Sequence, residues 1–240
     1  MTAMDDHDDD HGHDHDDDHG DDHGHDHDGD GGHDEDPAAF WEARYAGGQQ
    51  WSGRPNALLV DAVGDLAPGT ALDLGCGEGG DAIWLARRGW RVTAVDIAEG
   101  ALALGARHAA EAGVADAITW ERHDLADSWP DGTFDVVSAC YLHSPVALPR
   151  GEVLRRAAAA VAPGGHLVVV GHAGAPSWAP PDHPHRTHEF PSPADVLTGL
   201  GLEPDVWETV RAEEVAVDAR GPEGEEGTRP DNVLHLRRRT

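Results

Sequence analysis

The amino-acid sequence predicts an α/β protein built on a doubly wound, mostly parallel sheet. Ala71–Leu74 is a short apolar run that a single Asp interrupts, as is typical of a strand buried on both faces. Glycines follow at positions 75, 77, 79 and 80, and Asp81–Arg88 then has the apolar spacing of a helix. A strand, a glycine turn and a helix in this order direct the backbone N–H groups of the helix start towards a ligand.

Two helices are predicted ahead of this first strand. Ala38–Tyr45 is expected to form a short helix, and Gly47–Arg54 a loop. Asn56–Leu66 has apolar residues at positions 58, 59, 62, 63 and 66, which is the spacing of one helical face. The folded part of the chain is therefore expected to begin at Pro37.

Strands and helices alternate after the glycine turn, as a parallel sheet requires. The predicted strands are Arg91–Asp96, Ile118–Arg122, Phe134–Ser138, His166–Val170, Val206–Ala212 and Val233–Arg237. The predicted helices are Ala98–Gly113, Pro149–Val161 and Asp195–Leu200, and Pro163 to Gly165 form a turn before the fifth strand. Residues 173–193 are expected to form a long substrate loop, and an acidic Gly-rich loop is expected to join the last two strands.

The glycine turn alone does not identify its ligand. Gly75, Gly77 and Gly80 satisfy the dinucleotide pattern G-x-G-x-x-G, which is a weak signal. Asp73 lies two residues before the first glycine. A carboxylate at this position can face a ligand's ammonium group, whereas a pyrophosphate would gain no favourable interaction from it. Asp96 ends the second strand, 21 residues after Gly75, and can accept hydrogen bonds from both hydroxyls of a ribose, as in NAD sites.

These residues resemble the class I S-adenosylmethionine (SAM)-dependent methyltransferases, whose glycine motif is an acidic residue followed by G-x-G-x-G. The resemblance covers residues 37–240 and rests on Asp73 with its glycines, on Asp96, on Asp124–Leu125, on Phe134–Ser138 and on Ala162–His172 (APGGHLVVVGH). Within the family, the chain is most similar to the small bacterial tellurite-resistance and thiopurine types. FWEARY at 40–45, WSGRPN at 51–56 and GHAG at 171–174 carry that closer similarity.

The resemblance implies a Rossmann-like seven-stranded sheet with strand order 3-2-1-4-5-7-6 and S-adenosyl-L-methionine as cofactor. The cofactor-binding residues that it implies are Asp73, Gly75, Cys76, Gly77, Gly79, Asp96, Ile97, Asp124 and Leu125. In such relatives the segment before the first strand folds over the cofactor. Trp41, Tyr45 and Trp51 are therefore expected either to form a lid or substrate wall or to pack the first helices on the domain.

Candidate catalytic residues follow the fourth and fifth predicted strands. Tyr141 and His143 lie on the loop after the fourth strand, and His172 lies on the loop after the fifth. The ligand crevice of a doubly wound sheet lies outside the carboxyl ends of its strands, so these side chains are expected to meet there. His143 is the first choice for a general base, His172 the second, and Tyr141 an orienting donor. A catalytic metal is not expected.

Charge and composition narrow the range of partners. The 240 residues include 46 acidic residues and 17 basic ones, all of them Arg, for a formal net charge of −29. Such a surface disfavours binding to a nucleic-acid backbone, which needs a basic patch. The sequence shows neither a membrane-spanning apolar run nor a secretory signal, so a cytoplasmic location is expected, with Cys76 and Cys140 as free thiols.

Residues 1–36 differ from the rest in composition, since they consist almost entirely of Asp, His and Gly. They are predicted to be a disordered tail, and residues 37–240 to be the methyltransferase domain. Imidazoles among carboxylates are ligand types that suit Zn, Ni or Cu, so weak divalent-metal binding is a candidate property of the tail. Its candidate ligands are His7, His11, His13, His15, His19, His23, His25, His27 and His33.

The function expected from the sequence is SAM-dependent transfer of a methyl group to a small-molecule acceptor by in-line displacement. Two alternatives stay open at this point. One is a nicotinamide-dependent oxidoreductase, which Asp73 and the helices ahead of the first strand disfavour. The other is a non-catalytic protein that binds SAM or handles metal through its tail. The residues do not specify whether the acceptor is sulfur, nitrogen, oxygen or a metalloid, nor do they specify the oligomeric state.

Overall fold

A computed structural model describes residues 36–186, 188–221 and 224–240. Its seven-stranded sheet has the order β3-β2-β1-β4-β5-β7-β6, which confirms the predicted topology. The strands are β1 (Thr70–Leu74), β2 (Arg91–Asp96), β3 (Ile118–Arg122), β4 (Phe134–Cys140), β5 (Val161–His172), β6 (Trp207–Arg220) and β7 (Glu226–Arg238). Strands β1 to β5 pair in parallel, whereas β7 is antiparallel to both β5 and β6.

Helices cover both faces of this sheet. They are α1 (Pro37–Tyr45), α2 (Ala57–Val63), α3 (Gly80–Arg87), α4 (Glu99–Glu111), α5 (Arg150–Ala159) and α6 (Pro193–Leu200). One apolar core lies between the sheet and α5 with α6, and the other between the sheet and α2, α3 and α4. Neighbouring strand residues serve opposite cores, so that Ala71 packs in one and Leu72 in the other. This two-sided burial is the reason that β1 reads as a nearly continuous apolar run.

Polar side chains fix where the first two helices begin. The Asp36 carboxylate accepts a hydrogen bond from the Ala38 N–H at 3.1 Å, and Pro37 occupies the first turn of α1. The Asn56 side chain accepts one from the Leu58 N–H at 2.9 Å and so caps α2. Asp36 is thus the first residue of the described fold, whereas the predicted disorder of the tail and its nine candidate histidine ligands lie outside the described residues.

The last two strands are longer than predicted. β6 continues past Ala212 to Arg220, and β7 begins at Glu226 rather than Val233, so most of the expected loop is a hairpin. Exposure alternates along the second half of β6, where Val215, Val217 and Ala219 are less exposed than their neighbours. This period of two is the pattern of a half-buried strand, and the acidic composition of the segment concealed it. The hairpin therefore extends beyond the end of β5.

The predicted turn before the fifth strand lies inside β5. Val161 pairs with Phe134 and His166 pairs with Val136, so the residues between them bulge out of the ladder. None of the helices in the described part of the chain combines the length and apolar character that crossing a membrane requires.

We expect replacement of Leu72 by Ala to lower the free energy of unfolding by about 2–5 kcal/mol, because the side chain is fully buried and a cavity would remain. Chemical denaturation measures this loss. The matched control is Val210→Ala on the edge strand β6, where the side chain is 50% exposed and the change should be within about 0.5 kcal/mol. Equal losses in the two variants would contradict the assigned core.

Candidate functional site

An open cleft of about 2040 Å³ lies at the carboxyl ends of the parallel strands. The glycine turn after β1, the end of β2 and the loop after β4 form its floor. The N-terminal segment and the β6–β7 hairpin form its walls. Its position is the one that a doubly wound sheet provides for a ligand.

The glycine turn is held by the carboxylate that ends β2. The N–H of Gly77 donates to Asp96 Oδ2 at 2.9 Å, and the N–H of Ala98 donates to Asp96 Oδ1 at 3.0 Å. Gly77 has φ +51, and a Cβ there would lie 3.1 Å from the Tyr45 hydroxyl oxygen. Glycine at this position therefore permits both the positive φ of the turn and the close approach of Tyr45.

Asp73 is buried on β1 with one oxygen unsatisfied. Its exposed fraction is 2%, and its Oδ1 accepts from the Ser138 hydroxyl at 2.9 Å. Its Oδ2 has no hydrogen-bond partner within the described residues. Burial first, and then the charge of the neighbouring Asp81, raise the pKa of the Asp73 carboxyl well above its ordinary value. A cation bound at Oδ2 would provide the missing partner and lower the pKa of the carboxyl.

Two further carboxylates at this turn were not predicted. Glu78 Oε1 accepts hydrogen bonds from the N–H groups of Gln50 and Trp51, the latter at 3.3 Å. Glu78 is 2% exposed, and its Oε2 is without a hydrogen-bond partner among the residues described. Asp81 Oδ1 accepts from the Asn56 N–H at 2.6 Å. Both carboxylates therefore tie the N-terminal segment to the glycine turn.

This half of the cleft is strongly acidic. Asp73, Glu78, Asp81 and Asp96 all line it, and none of them forms an ion pair with a side chain in the described part of the protein. Burial raises the pKa of Asp81 and of Asp96 as it does that of Asp73. Buried charges are normally paired, so this arrangement is suited to a cationic ligand.

The structure brings most of the predicted cofactor-binding residues together. Those that line the cleft are Asp73, Gly75, Cys76, Gly77, Asp96, Ile97, Asp124 and Leu125. One carboxylate oxygen of Asp124 also accepts from the Ala126 N–H at 2.9 Å, so the residue closes a turn as well. Gly79 is not in the lining: it has φ +81, and a Cβ on it would collide with the Trp120 ring.

Aromatic residues of the N-terminal segment lie over the glycine turn. Trp51 Nε1–H donates to the Tyr45 hydroxyl at 2.9 Å, and Tyr45 is buried against Ala98 and Ala101 of the α4 region. Trp41 Nε1–H donates to the Ser144 hydroxyl, 3.3 Å away on the loop after β4. The three predicted aromatics therefore pack the first helix on the domain and also line the cleft.

The three candidate catalytic side chains meet at the other half of the cleft. The Tyr141 and His172 rings stack with their centroids 4.6 Å apart and an interplanar angle of 23°. The His143 ring is nearly parallel to His172, with centroids 5.7 Å apart. This proximity follows from the sheet order, because β4 and β5 are neighbours and end at the same edge.

His143 is neutral and poorly placed to receive a proton. Burial, then the nearby charge of Arg150, lowers the pKa of His143 to about 3. Its Nε2 is buried with no hydrogen-bond partner in the described residues, and a Cβ on Gly171 would lie 2.8 Å from it. The nitrogen therefore faces the backbone of β5.

Two residues of β7 join this group and were not predicted. Asp231 is fully buried, and its carboxylate contacts His172 Nδ1, the Tyr141 hydroxyl and the Arg229 guanidinium. Both residues fall in the stretch that was expected to be a loop, so the pairing of Asp231 with β5 and of Arg229 with β6 could not be anticipated. The spacing of Val215, Val217 and Ala219 two residues apart in β6 was the available signal.

Further histidines line the outer wall of the same half. The His185 ring lies 5.5 Å from His172 and 5.0 Å from Phe190, and the His188 ring lies 4.5 Å from Phe190, centroid to centroid. Across the described ranges, no group of three or more His, Cys, Asp or Glu side chains has the geometry to hold a metal ion. We call this half of the cleft, which is rich in aromatic rings and imidazoles, the acceptor half, in contrast to the acidic half around the glycine turn. Its lining includes Tyr141, His143, His172, His185, His188 and Phe190.

Comparison with known proteins extends these observations. Residues 71–165 match the family model of a methyltransferase domain. The ubiquinone biosynthesis O-methyltransferase of Caulobacter sp. strain K31 is 32% identical over 167 residues, covering 64% of this chain and 61% of that protein. The ribosomal RNA small subunit methyltransferase C of Chromohalobacter salexigens is 37% identical over 123 residues, covering 50% of this chain and 36% of that protein. This chain thus spans less than two thirds of the length of either relative.

A solved structure supports the fold independently. The N-methyltransferase NodS from Bradyrhizobium japonicum WM9, in complex with S-adenosyl-L-homocysteine (SAH), has a TM-score of 0.59 and 20% identity. The match covers 85% of this chain and 99% of that one. Residues 71–165 thus match a methyltransferase domain, and the strand order of the sheet is that of the Rossmann-like methyltransferase fold.

Proposed function

We propose that the protein transfers a methyl group from SAM to a small-molecule acceptor. The observation that carries this proposal is the acidic half of the cleft, where four carboxylates surround the glycine turn and none has a cationic side chain as partner among the described residues. SAM bears a sulfonium and an ammonium group, and it is therefore a ligand whose positive charge this half can accept.

The residues present fit this cofactor. Asp73, with its unsatisfied Oδ2, would hold the ammonium group, and Asp96 would accept from the ribose hydroxyls. Asp124 and Leu125 would contact the adenine, while the backbone of Gly75 to Gly77 and of Ile97 would follow the rest of the molecule. A dinucleotide would instead bring a pyrophosphate to the same carboxylates, so the charge of the site disfavours the oxidoreductase alternative.

The acceptor half provides orientation and a site for a proton. Bound SAM supplies a methyl group already activated by its sulfonium, so positioning of the acceptor can provide most of the acceleration. Tyr141, His143 and His172 line the space next to the cofactor half, and the stacked rings offer flat surfaces to an acceptor. Trp41 and Trp51 cover the turn and would limit access of water.

We also propose that the acceptor is not a nucleic acid and that the protein acts in the cytoplasm. One curated relative is named for ribosomal RNA, but this chain carries a net charge of −29, which repels a phosphate backbone. Cys76 and Cys140 are free thiols, which is consistent with a reducing compartment. In this proposal the tail binds divalent metal ions weakly and is independent of the methyltransferase domain.

Replacement of Asp96 by Ala should weaken SAM binding at least tenfold, because charge-assisted hydrogen bonds to the ribose contribute about 1.5–3 kcal/mol each. Titration calorimetry of the folded variant measures the loss. Asp135→Ala is the matched control, since this carboxylate accepts from the Thr70 N–H at 2.8 Å outside the cleft. If Asp96→Ala binds SAM as tightly as the control does, the cofactor site is assigned wrongly.

Asp73 should make cofactor binding depend on pH. Its carboxyl pKa is raised in the free protein, and a bound ammonium would lower it, so binding near neutral pH should release a proton. Affinity for SAM and for SAH should consequently rise as pH increases through the raised pKa. Asp73→Asn should weaken the binding of both SAM and SAH about tenfold or more, and it should reduce the proton release on binding.

Calorimetry in buffers of different ionisation enthalpy measures that proton release. SAM and SAH share the ammonium group but differ in the charge on sulfur. A loss of affinity confined to SAM would show that Asp73 faces the sulfonium rather than the ammonium.

Deletion of residues 1–35 should leave the melting temperature and the SAM affinity nearly unchanged, because Asp36, the cap of α1, is retained. The full chain should bind several Zn or Ni ions weakly, and this binding should weaken below about pH 6, where imidazoles take up protons. Metal titration of both proteins, together with methyl transfer with and without Zn, measures these effects. Loss of turnover on truncation, or a requirement for tail-bound metal, would contradict the independence of the tail.

A further inference from the structure

Asp231 lies opposite His172 in the antiparallel ladder between β7 and β5. The register places the two residues side by side at the end of the sheet that borders the cleft. The carboxylate is fully buried, whereas the His172 side chain keeps an exposed fraction of 23%. One member of the pair is therefore withdrawn from solvent, and the other faces the acceptor half.

Among the described residues, the Asp231 carboxylate accepts hydrogen bonds from three side chains. Oδ1 accepts from Arg229 Nε–H at 3.0 Å and lies 3.4 Å from His172 Nδ1. Oδ2 accepts from the Tyr141 hydroxyl at 2.5 Å and from Arg229 Nη2–H at 3.1 Å. Burial opposes ionisation, but the hydrogen bonds from His172 and Arg229 and the charge of Arg229 outweigh it and hold the pKa of Asp231 below its ordinary value.

An ionised carboxylate can only accept hydrogen bonds, so it determines the tautomer of its neighbour. His172 must carry its proton on Nδ1 to contact Asp231, which leaves a lone pair on Nε2. Within the described residues, His172 Nε2 has no hydrogen-bond partner. Of the two candidate histidines, His172 thus offers an available acceptor nitrogen, whereas the Nε2 of His143 is buried against β5.

Tyr141 and Arg229 fix the geometry of this pair. Tyr141 has φ +51, the only positive φ among the described non-glycine residues, and its hydroxyl bonds to Asp231 while its ring stacks on His172. A non-glycine residue in this conformation is strained, and such strain persists only where surrounding contacts impose it. The loop after β4 is therefore held in the conformation that keeps the imidazole in place.

We propose that His172 is the general base of the transferase and that Asp231 is the residue that positions it. As the acceptor's O–H or N–H group forms its bond to the methyl carbon, its proton passes to His172 Nε2, and the electron pair of the broken methyl–sulfur bond remains on sulfur. The resulting imidazolium is stabilised by Asp231 through Nδ1–H and later releases its proton to water. This assignment rests on the proposed function and refines it, since it selects one base and adds a residue on β7.

Nitrogen NMR of the full-length protein, labelled with ¹⁵N-histidine, tests the tautomer directly. His172→Gln identifies the His172 signals by their disappearance. We expect the wild-type protein at neutral pH to show a protonated Nδ1 and an unprotonated Nε2 at His172. A protonated Nε2 would overturn the proposal, and this measurement needs neither cofactor nor acceptor.

Asp231→Asn tests the positioning role. An amide no longer enforces one tautomer, so the Nε2-protonated form of His172 should become populated. Asp135→Asn, which removes a carboxylate at the opposite end of the sheet, should leave the His172 signals unchanged. Unchanged tautomer populations in folded Asp231→Asn would show that Asp231 does not position the base.

Paired acceptors separate base catalysis from a structural effect. Phenol keeps its proton at neutral pH, whereas thiophenol loses most of it, and the two have similar shapes. With labelled SAM, His172→Gln should slow methylation of phenol about a hundredfold and Asp231→Asn at least tenfold, while thiophenol is affected little. Equal losses with both probes would contradict a base role.

Failure of the wild-type protein to bind SAM would overturn the proposed function, whereas the tautomer of His172 would still decide the role of Asp231.

Discussion

The burial of negative charge around one glycine turn is the constraint on which the rest of the site depends. A carboxylate that leaves water without a partner costs several kcal/mol, so each of the four must be satisfied by the fold or by a ligand. Asp96 is satisfied by two backbone N–H groups, and Asp81 by the N–H of Asn56. Glu78 and Asp73 each keep one oxygen without a partner in the described chain. The same groups thus hold the N-terminal segment in place and favour a cationic ligand.

The strand order separates this acidic half from the half that handles the acceptor. β1 and β2 carry Asp73 and Asp96, whereas β4, β5 and β7 carry Tyr141, His172 and Asp231. In the second half, Arg229 forms an ion pair with the buried Asp231, so the negative charge next to the imidazoles is neutralised. One half is therefore suited to binding a cation, and the other to receiving a proton.

The parallel part of the fold could be predicted from the sequence because local pattern and tertiary role agree there. β2 and β3 have the predicted bounds, and the positions of Asp73 and Asp96 at strand ends place them in the cleft. The hairpin could not be predicted in the same way, because its many charged residues are typical of a loop. Only the spacing of Val215, Val217 and Ala219 two residues apart indicates a strand. Asp231 was missed for this reason: its function depends on a partner 59 residues away in the chain, and only the ladder register makes them neighbours.

The antiparallel pairing of β5 with β7 also limits which changes in chain length the protein tolerates. Side chains along a strand alternate between the two faces, so one residue inserted between Asp231 and Val233 would turn Asp231 away from His172. An insertion beyond the end of β6 at Arg220 would lengthen the connection and leave every pair of the ladder opposite its partner. Homologous chains that keep this pair are therefore expected to vary in length at the tip of the hairpin and not along β7.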